Sequence, residues 1–265
     1  PLIPTMIVRI LLFFFFFHQC SVVLAQLGCA GINLGQDTTI DCSQQCITIK
    51  SSVLDVGLTS NYNITSIPFN PPFSFNQGSP IFVNQDDYFS PAIQLPFVFC
   101  FYGNNYNQIV VGANGLISFD ISLANAFCEW NFSQSMPNIN GEPYRNSING
   151  PYHDLDPSVG GNVRYGVLGT YPCRTFVVNF DDVPHYDCNN IRTTFQIVLY
   201  ETTNIIEIYV LEKPVCNSWN SGNAVLGIQN SSGTVAHVPN NRNTSNWSTS
   251  NEAWQFVPSG GSSIN

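Results

Sequence analysis

The sequence predicts an all-β fold: an antiparallel β-sandwich with long loops, stapled by disulfides. Three observations carry this. First, Phe176, Val178 and Phe180 alternate with Val177 and Asn179, and Phe195, Ile197 and Leu199 alternate with Gln196 and Val198. Ile206, Ile208 and Val210 then alternate with Glu207 and Tyr209. Period-two runs of β-branched and aromatic residues are half-buried strands, with one face towards a core. Second, 13% of residues are aromatic, 19 are glycine and 17 proline, and no stretch shows the apolar period of an amphipathic helix. Third, there are 9 cysteines in a chain that opens on an export signal.

That signal occupies residues 1–25. Met6 is the expected initiator, followed by Arg9, the apolar run Ile10–Phe17 and the small-residue site Val23-Leu24-Ala25. This is the n-region, h-region and cleavage pattern of a secretory signal peptide. The alternative is a membrane anchor, but the run has 8 residues before His18, against roughly 20 needed to span a bilayer. The mature chain is therefore not expected to enter a membrane, and the protein is expected to be secreted or displayed at the cell surface.

Cleavage leaves 240 residues, with seven basic and seventeen acidic side chains and a net charge of −10. Lys50 and Lys213 are the only lysines. Such a surface repels phosphate backbones and excludes nucleic acid as a partner. Eight cysteines remain after Cys20 is removed: Cys29, Cys42, Cys46, Cys100, Cys128, Cys173, Cys188 and Cys216. An even number in an exported chain implies up to four disulfides among about 105 connectivities. Zinc is the competing reading, but Cys42-x3-Cys46 has no second close pair or histidine at ligand spacing.

Residues 26–61 read as a Cys-rich N-terminal arm, with short strands at Thr38–Ile40 and Ile47–Ile49. Tyr62 to Leu95 is proline-rich, including Pro71-Pro72, and proline removes ladder donors. Its Phe69, Phe73, Phe75, Ile81 and Phe82 predict a segment that wraps the core of a domain spanning 62–258. Leu95–Gly103 is a strand. Asn114-Gly115, between Val110-Val111 and Leu116-Ile117, is a hairpin turn in which both residues tolerate positive φ. Ala124 to Ile148 is a long polar loop anchored by Phe127, Trp130 and Phe132, with room for a short helix.

Asn149 to Gly161 is a Gly- and Asp-rich loop leading into the three-strand meander, whose last two strands are joined by Glu201–Asn204. If 174–183, 193–200 and 205–211 are successive antiparallel strands, Cys188 and Cys216 lie at one end of the sheet. They are expected to pair, and Cys100 with Cys128 is a second expected pair. Asn223–Asn230, Thr234–Val238 and the closing strand Glu252–Val257 follow. Residues 259–265 read as the start of a linker to further modules.

Several ordered motifs between about Phe97 and Val257 resemble a known family. They are N-G-L-I-S-F, P-Y-H-D-L-D, G-N-V-R-Y, R-T-F-V-V-N-F-D-D-V-P-H-Y and T-T-F-Q-I-V-L-Y. In this order they resemble the extracellular nidogen-type (NIDO-like) domain. They are also similar to the N-terminal region of large secreted surface proteins of gliding Bacteroidetes. The resemblance implies adhesion or matrix assembly and, for the bacterial relatives, export by the type IX system.

No nucleophile elbow, H-E-x-x-H or phosphate-binding glycine loop is present, so no catalytic residue is assigned and the chain is not expected to be an enzyme. His153, Asp154 and Asp156 are the nearest to a hydrolytic or metal constellation, and Asp181, Asp182, His185 and Asp187 form a second acidic group. The plainer reading is that these carboxylates cap loops. Asp154 and Asp156 are two apart, so in an extended segment both project to one side. They are a candidate calcium pair, to which Ser158–Gly161 adds carbonyls. The competing partners for these carboxylates are turn N–H groups, Arg164 and Arg145. No other cofactor is expected.

Loop aromatics Tyr144, Tyr152, Tyr171, Tyr186, Trp219 and Trp247 are candidates for a surface that takes sugar rings or a protein partner. The expected function is a non-enzymatic extracellular adhesion or interaction module at the N-terminus of a larger protein. Its partner would be a surface polysaccharide or a protein. The alternative is a carbohydrate-binding module attached to a secreted hydrolase.

Overall fold

The computed structural model describes residues 56–261, apart from 83, 84 and 142, together with Thr48. The expected signal peptide, most of the Cys-rich arm with Cys29, Cys42 and Cys46, and residues 262–265 lie outside the described residues. What is described is all-β: two antiparallel sheets face each other, and the only helical pieces among the described residues are single 3-10 turns at Ile121–Leu123 and Asn220–Gly222.

The first sheet runs β1 (Leu58–Ser66), β14 (Thr249–Gly260), β10 (Ile206–Lys213), β9 (Cys188–Tyr200), β8 (Thr175–His185), β7 (Asn162–Leu168) and β2 (Ser79–Phe82). The second runs β12 (Ala236–His237), β11 (Asn223–Gln229), β6 (Ser147–Tyr152), β5 (Leu116–Ser118), β4 (Asn104–Gly112) and β3 (Ile93–Phe101), with β13 (Ser245–Asn246) also on β11. The expected meander is the heart of the first sheet: Phe180 lies opposite Phe195, and Ile208 opposite Ile197.

Facing side chains fill the space between the sheets. Phe99, Ile109, Val111, Ile117 and Ile148 come from one side, and Phe176, Val178, Phe195, Ile197, Ile208 and Phe256 from the other. The alternation predicted one buried face for the meander, but both are buried. Val177, Val198, Tyr200 and Tyr209 on the outer face pack with Phe69 and Phe73 of the proline-rich segment. That segment wraps as expected. Its Ser74 and Gln77 carbonyls accept from Asn179 Nδ2 at 3.3 and 3.1 Å, and the Phe73 carbonyl accepts from Gln196.

Several local expectations change. The turn at Asn114-Gly115 spans the three residues Ala113–Gly115, and of the pair only Gly115 has positive φ, at 101°. Three-residue hairpin loops need one left-handed residue rather than two. Of the long loop's expected anchors, Phe132 is buried on Tyr152, whereas Phe127 is exposed in an isolated bridge to Tyr88. No short helix forms between Ala124 and Ile148 among the described residues. The closing strand extends through Ser259 and Gly260, where the composition suggested linker, because β1 supplies an edge that pairs Leu58 with Gly260.

The Cys188–Cys216 disulfide forms as the topology required, with Cα atoms 5.9 Å apart. Cys173 is disulfide-bonded as well. The expected Cys100–Cys128 bridge is not made. Cys100 Sγ sits 3.0 Å from Thr59 Oγ1, beside β1, while Cys128 is buried with Phe89 and Leu116 on the outer side of the second sheet. The two lie at opposite ends of β4: Cys100 pairs with Asn105 at its start, whereas Cys128 Sγ rests against Gly112 at its end. Replacing Cys188 and Cys216 together by serine is expected to cost about 3 kcal/mol, the loop-closure entropy of a bridge of this span. Urea unfolding under non-reducing conditions reads this as a lower midpoint, with a slope equal to or steeper than that of the wild type because the uncrosslinked denatured state is more expanded.

Candidate metal centre and its aromatic wall

Tyr152–Pro157 crosses from the second sheet to the first and is pinned from both. His153 N–H donates to Asn114 O at 3.1 Å, and Leu155 N–H donates to Asn114 Oδ1 at 3.0 Å. On the far side, Tyr186 N–H donates to Asp154 O at 3.2 Å and Asp156 N–H to Pro184 O at 2.8 Å. Asn114 is fully buried, and its Nδ2 donates to Asp87 Oδ1 at 2.8 Å and to Cys128 O at 3.1 Å. One amide therefore joins the crossover, the β4–β5 turn and the Asp86-Asp87 loop.

These contacts bring together carboxylates far apart in sequence. Oxygens of Asp86, Asp87 and Asp154 all lie within 4.8 Å of one another. Burial pushes Asp154 up to about 7, against the Trp219 hydrogen bond, which lowers it. Burial, then the charges of Asp87 and Asp156, pushes Asp86 up to about 7, and Asp87 is raised chiefly by burial. Among the described residues the ion pairs are Arg174–Glu201, Arg192–Asp182 and Arg242–Glu252, so no arginine or lysine neutralises this group.

The expected pairing of Asp154 with Asp156 changes. Asp156 Oδ1 caps its own turn, accepting from Ser158 N–H at 2.9 Å and Ser158 Oγ at 2.5 Å. Asp154 instead meets Asp86 and Asp87. The adjacent acids at 86–87 were visible in the sequence, but nothing local links them to residue 154. The expected acidic group after β8 disperses too. Asp182 pairs with Arg192 at 3.4 Å, Asp187 accepts from Ser218 Oγ at 3.3 Å, and His185 points inwards.

His153 and His185 form a buried pair, Nε2 to Nε2 at 3.1 Å, with Thr193 Oγ1 2.7 Å from His185 Nε2. Burial pushes His153 well below its ordinary value and His185 down to about 3. Both stay neutral at physiological pH and are almost wholly buried, at 5% and 1% exposure.

Aromatic residues wall one side of the acidic group. Trp219 Nε1 donates to Asp154 Oδ2 at 2.6 Å. Its ring packs between Trp130, at 5.3 Å between centroids, and Tyr186, at 4.8 Å. The Cys188–Cys216 bridge ties the loop carrying Trp219 to the one carrying Tyr186. A small cleft whose lining includes His153, Asp154, His185, Tyr186, Lys213 and Trp219 opens there. Of the six loop aromatics expected at a surface, Tyr186 and Trp219 meet at this cleft, and Tyr144 meets Tyr152 at 6.1 Å on the outer side of the second sheet. Tyr152 is core, and Tyr144 packs partly buried against the same cluster. Tyr171 is 79% exposed, with the Arg174 guanidinium 5.8 Å from its ring centre. Trp247 is buried between Lys213 and Arg242, which lie 4.7 and 4.6 Å from its ring.

A family model described as NIDO related matches residues 61–264, nearly all of the sandwich. The chain belongs to the NIDO-related family. No curated protein and no solved structure matches it. The match starts within β1 and runs past β14, so both sheets, the crossover at Asp154 and the Trp219 loop all belong to the NIDO-related domain. Among the described residues of this domain, no helix is long and apolar enough to cross a membrane.

Proposed function

We propose that this NIDO-related domain is a non-enzymatic extracellular interaction module that binds a surface polysaccharide or protein through its aromatic wall. It would serve adhesion from the N-terminal part of a larger secreted or cell-surface protein. The observation that carries this reading is the cluster of Trp130, Trp219 and Tyr186 beside a cleft, with Tyr186 40% exposed and the loops on either side cross-linked. Rigid aromatic faces offer large contact area at little entropic cost, and their negative π-faces suit sugar C–H groups and cationic side chains. A histidine pair that burial keeps neutral, and carboxylates without a nucleophile beside them, favour binding over turnover.

The test is a binding screen of the purified, disulfide-intact protein against polysaccharides and cell-surface proteins, followed by Trp130→Ala and Tyr186→Ala. Each substitution is expected to weaken the ligand found by about tenfold or more, as loss of an aromatic anchor does, with unfolding temperature nearly unchanged. Retained affinity in both variants sinks the assignment of the binding face. Hydrolysis of any screened polymer, abolished by Asp154→Asn at unchanged stability, overturns the non-enzyme reading.

A further inference from the structure

We propose that Asp86, Asp87 and Asp154 bind a divalent cation of the calcium class, which locks the aromatic wall to both sheets. The geometry is that of ligands waiting for a shared ion. Oxygens around one calcium at about 2.4 Å lie no further apart than about 4.8 Å, and one oxygen from each carboxylate meets that limit. An N–H donor orients each carboxylate through one oxygen. Asp87 N–H holds Asp86 Oδ1 at 3.0 Å, Asn114 Nδ2 holds Asp87 Oδ1 at 2.8 Å, and Trp219 Nε1 holds Asp154 Oδ2 at 2.6 Å.

The second, independent observation is Asp154 Oδ1. The residue is only 5% exposed, and this oxygen is enclosed and has no hydrogen-bond partner. A buried polar atom left unsatisfied costs on the order of 1–3 kcal/mol unless something completes it, and beside two other carboxylates a cation does so while also offsetting their repulsion. The donor set is all oxygen, which selects a hard ion over zinc or copper. Calcium tolerates an irregular shell completed by water and carbonyls more readily than magnesium does.

An ion here would join three pieces of chain: the loop before Phe89, the crossover between the sheets and, through Asp154, the Trp219 indole. The site does not depend on the identity of any macromolecular ligand, so calcium chloride alone tests it, and failure of the aromatic wall to bind a partner would leave it standing.

Thermal unfolding of the full chain, disulfides intact, is compared in about 5 mM calcium chloride and in chelator; for an extracellular-type site the ion is expected to raise the midpoint by about 3–6 °C. Asp86→Asn, Asp87→Asn and Asp154→Asn should each lose that response. Each should also melt no lower than wild type in chelator, because neutralising one acid relieves repulsion. Asp156→Asn, which keeps its turn and removes only a more distant charge, should keep most of the response. Terbium adds a readout independent of stability: its luminescence should be sensitised chiefly through Trp219, with Trp130 beside it, and fall in Trp219→Phe. A wild-type protein with neither a calcium shift nor terbium luminescence overturns the site. So does a shift that survives all three asparagine substitutions at 86, 87 and 154.

Discussion

Replacing Phe195 by alanine is expected to cost about 3–5 kcal/mol, lowering the unfolding midpoint by roughly 10 °C or more. Phe195 is fully buried between the sheets and stacks on Phe180 at 4.5 Å with the planes 9° apart. Its ring edge presses on the second sheet at two glycines. A Cβ at Gly150 would collide with Phe195, and one at Gly115 would meet Pro151 O at 2.9 Å and the ring tip at 3.4 Å. The aromatic therefore fills a hollow that only glycine leaves open, and alanine would leave a cavity that backbone on both sides prevents from collapsing.

The same geometry predicts coupling. Gly150→Ala should destabilise strongly by itself, because β6 is paired on both sides and has nowhere to shift. Combined with Phe195→Leu, which withdraws the ring, it should cost measurably less than the sum of the two. A double-mutant cycle in urea measures this, and strict additivity would show that the ring and the glycine do not share that space.

Glu207→Ala is expected to cost about 4 kcal/mol, since three donors would lose their acceptor at once. Glu207 is fully buried on the outer face of the first sheet. It accepts from Tyr200 Oη at 2.6 Å, Tyr209 Oη at 2.7 Å and Gln255 Nε2 at 2.7 Å. Burial first, and then the carboxylate itself, holds both phenols far above their ordinary range, so they remain donors at any pH the protein meets. Glu207→Gln keeps the volume but turns an NH2 towards a donor, and should cost about half as much. Equal stability of wild type and Glu207→Gln would mean that the network reorganises around the amide. The carboxylate also bridges β9, β10 and β14, so its loss should loosen the sheet where β14 docks.

Residue order alone determined the meander and, through it, the pairing of Cys188 with Cys216. Period-two alternation from Phe176 to Val210 marks the strands and the face that meets the other sheet, and a short loop at Glu201–Asn204 forces antiparallel neighbours. Two ends of one hairpin stack are necessarily close. The wrapping role of Phe69 and Phe73 was legible for a related reason, since large apolar residues on a chain unable to join a ladder must find a face to cover.

Other elements carry no such local signal. β1 reads LTSNYNITS, with only Thr59 and Tyr62 buried, and is a strand because β14 offers it an edge. β6 contains Gly150 and Pro151, residues that locally indicate a turn, yet it is central and wholly buried. Phe195 needs the glycine, and a register shift between Val225 and Gly227 of the partner strand accommodates the proline. Cys100 and Cys128 stay apart because one sits beside Asn105 and the other against Gly112, at opposite ends of β4, which no cysteine count reveals.

The candidate site belongs wholly to this second group. The sequence identified Asp154, Tyr186 and Trp219 as chemically able residues. Only the tertiary structure decided that Asp154 meets Asp86 and Asp87 rather than Asp156, and that Trp130 joins the aromatic wall. The physical reason is range. Strand pattern and turn chemistry act over a few residues, whereas loops at the end of a sandwich become neighbours only through the order of the strands. That order is set by which faces must be buried together, here through Asn114 and a disulfide that bind three distant loops at one place.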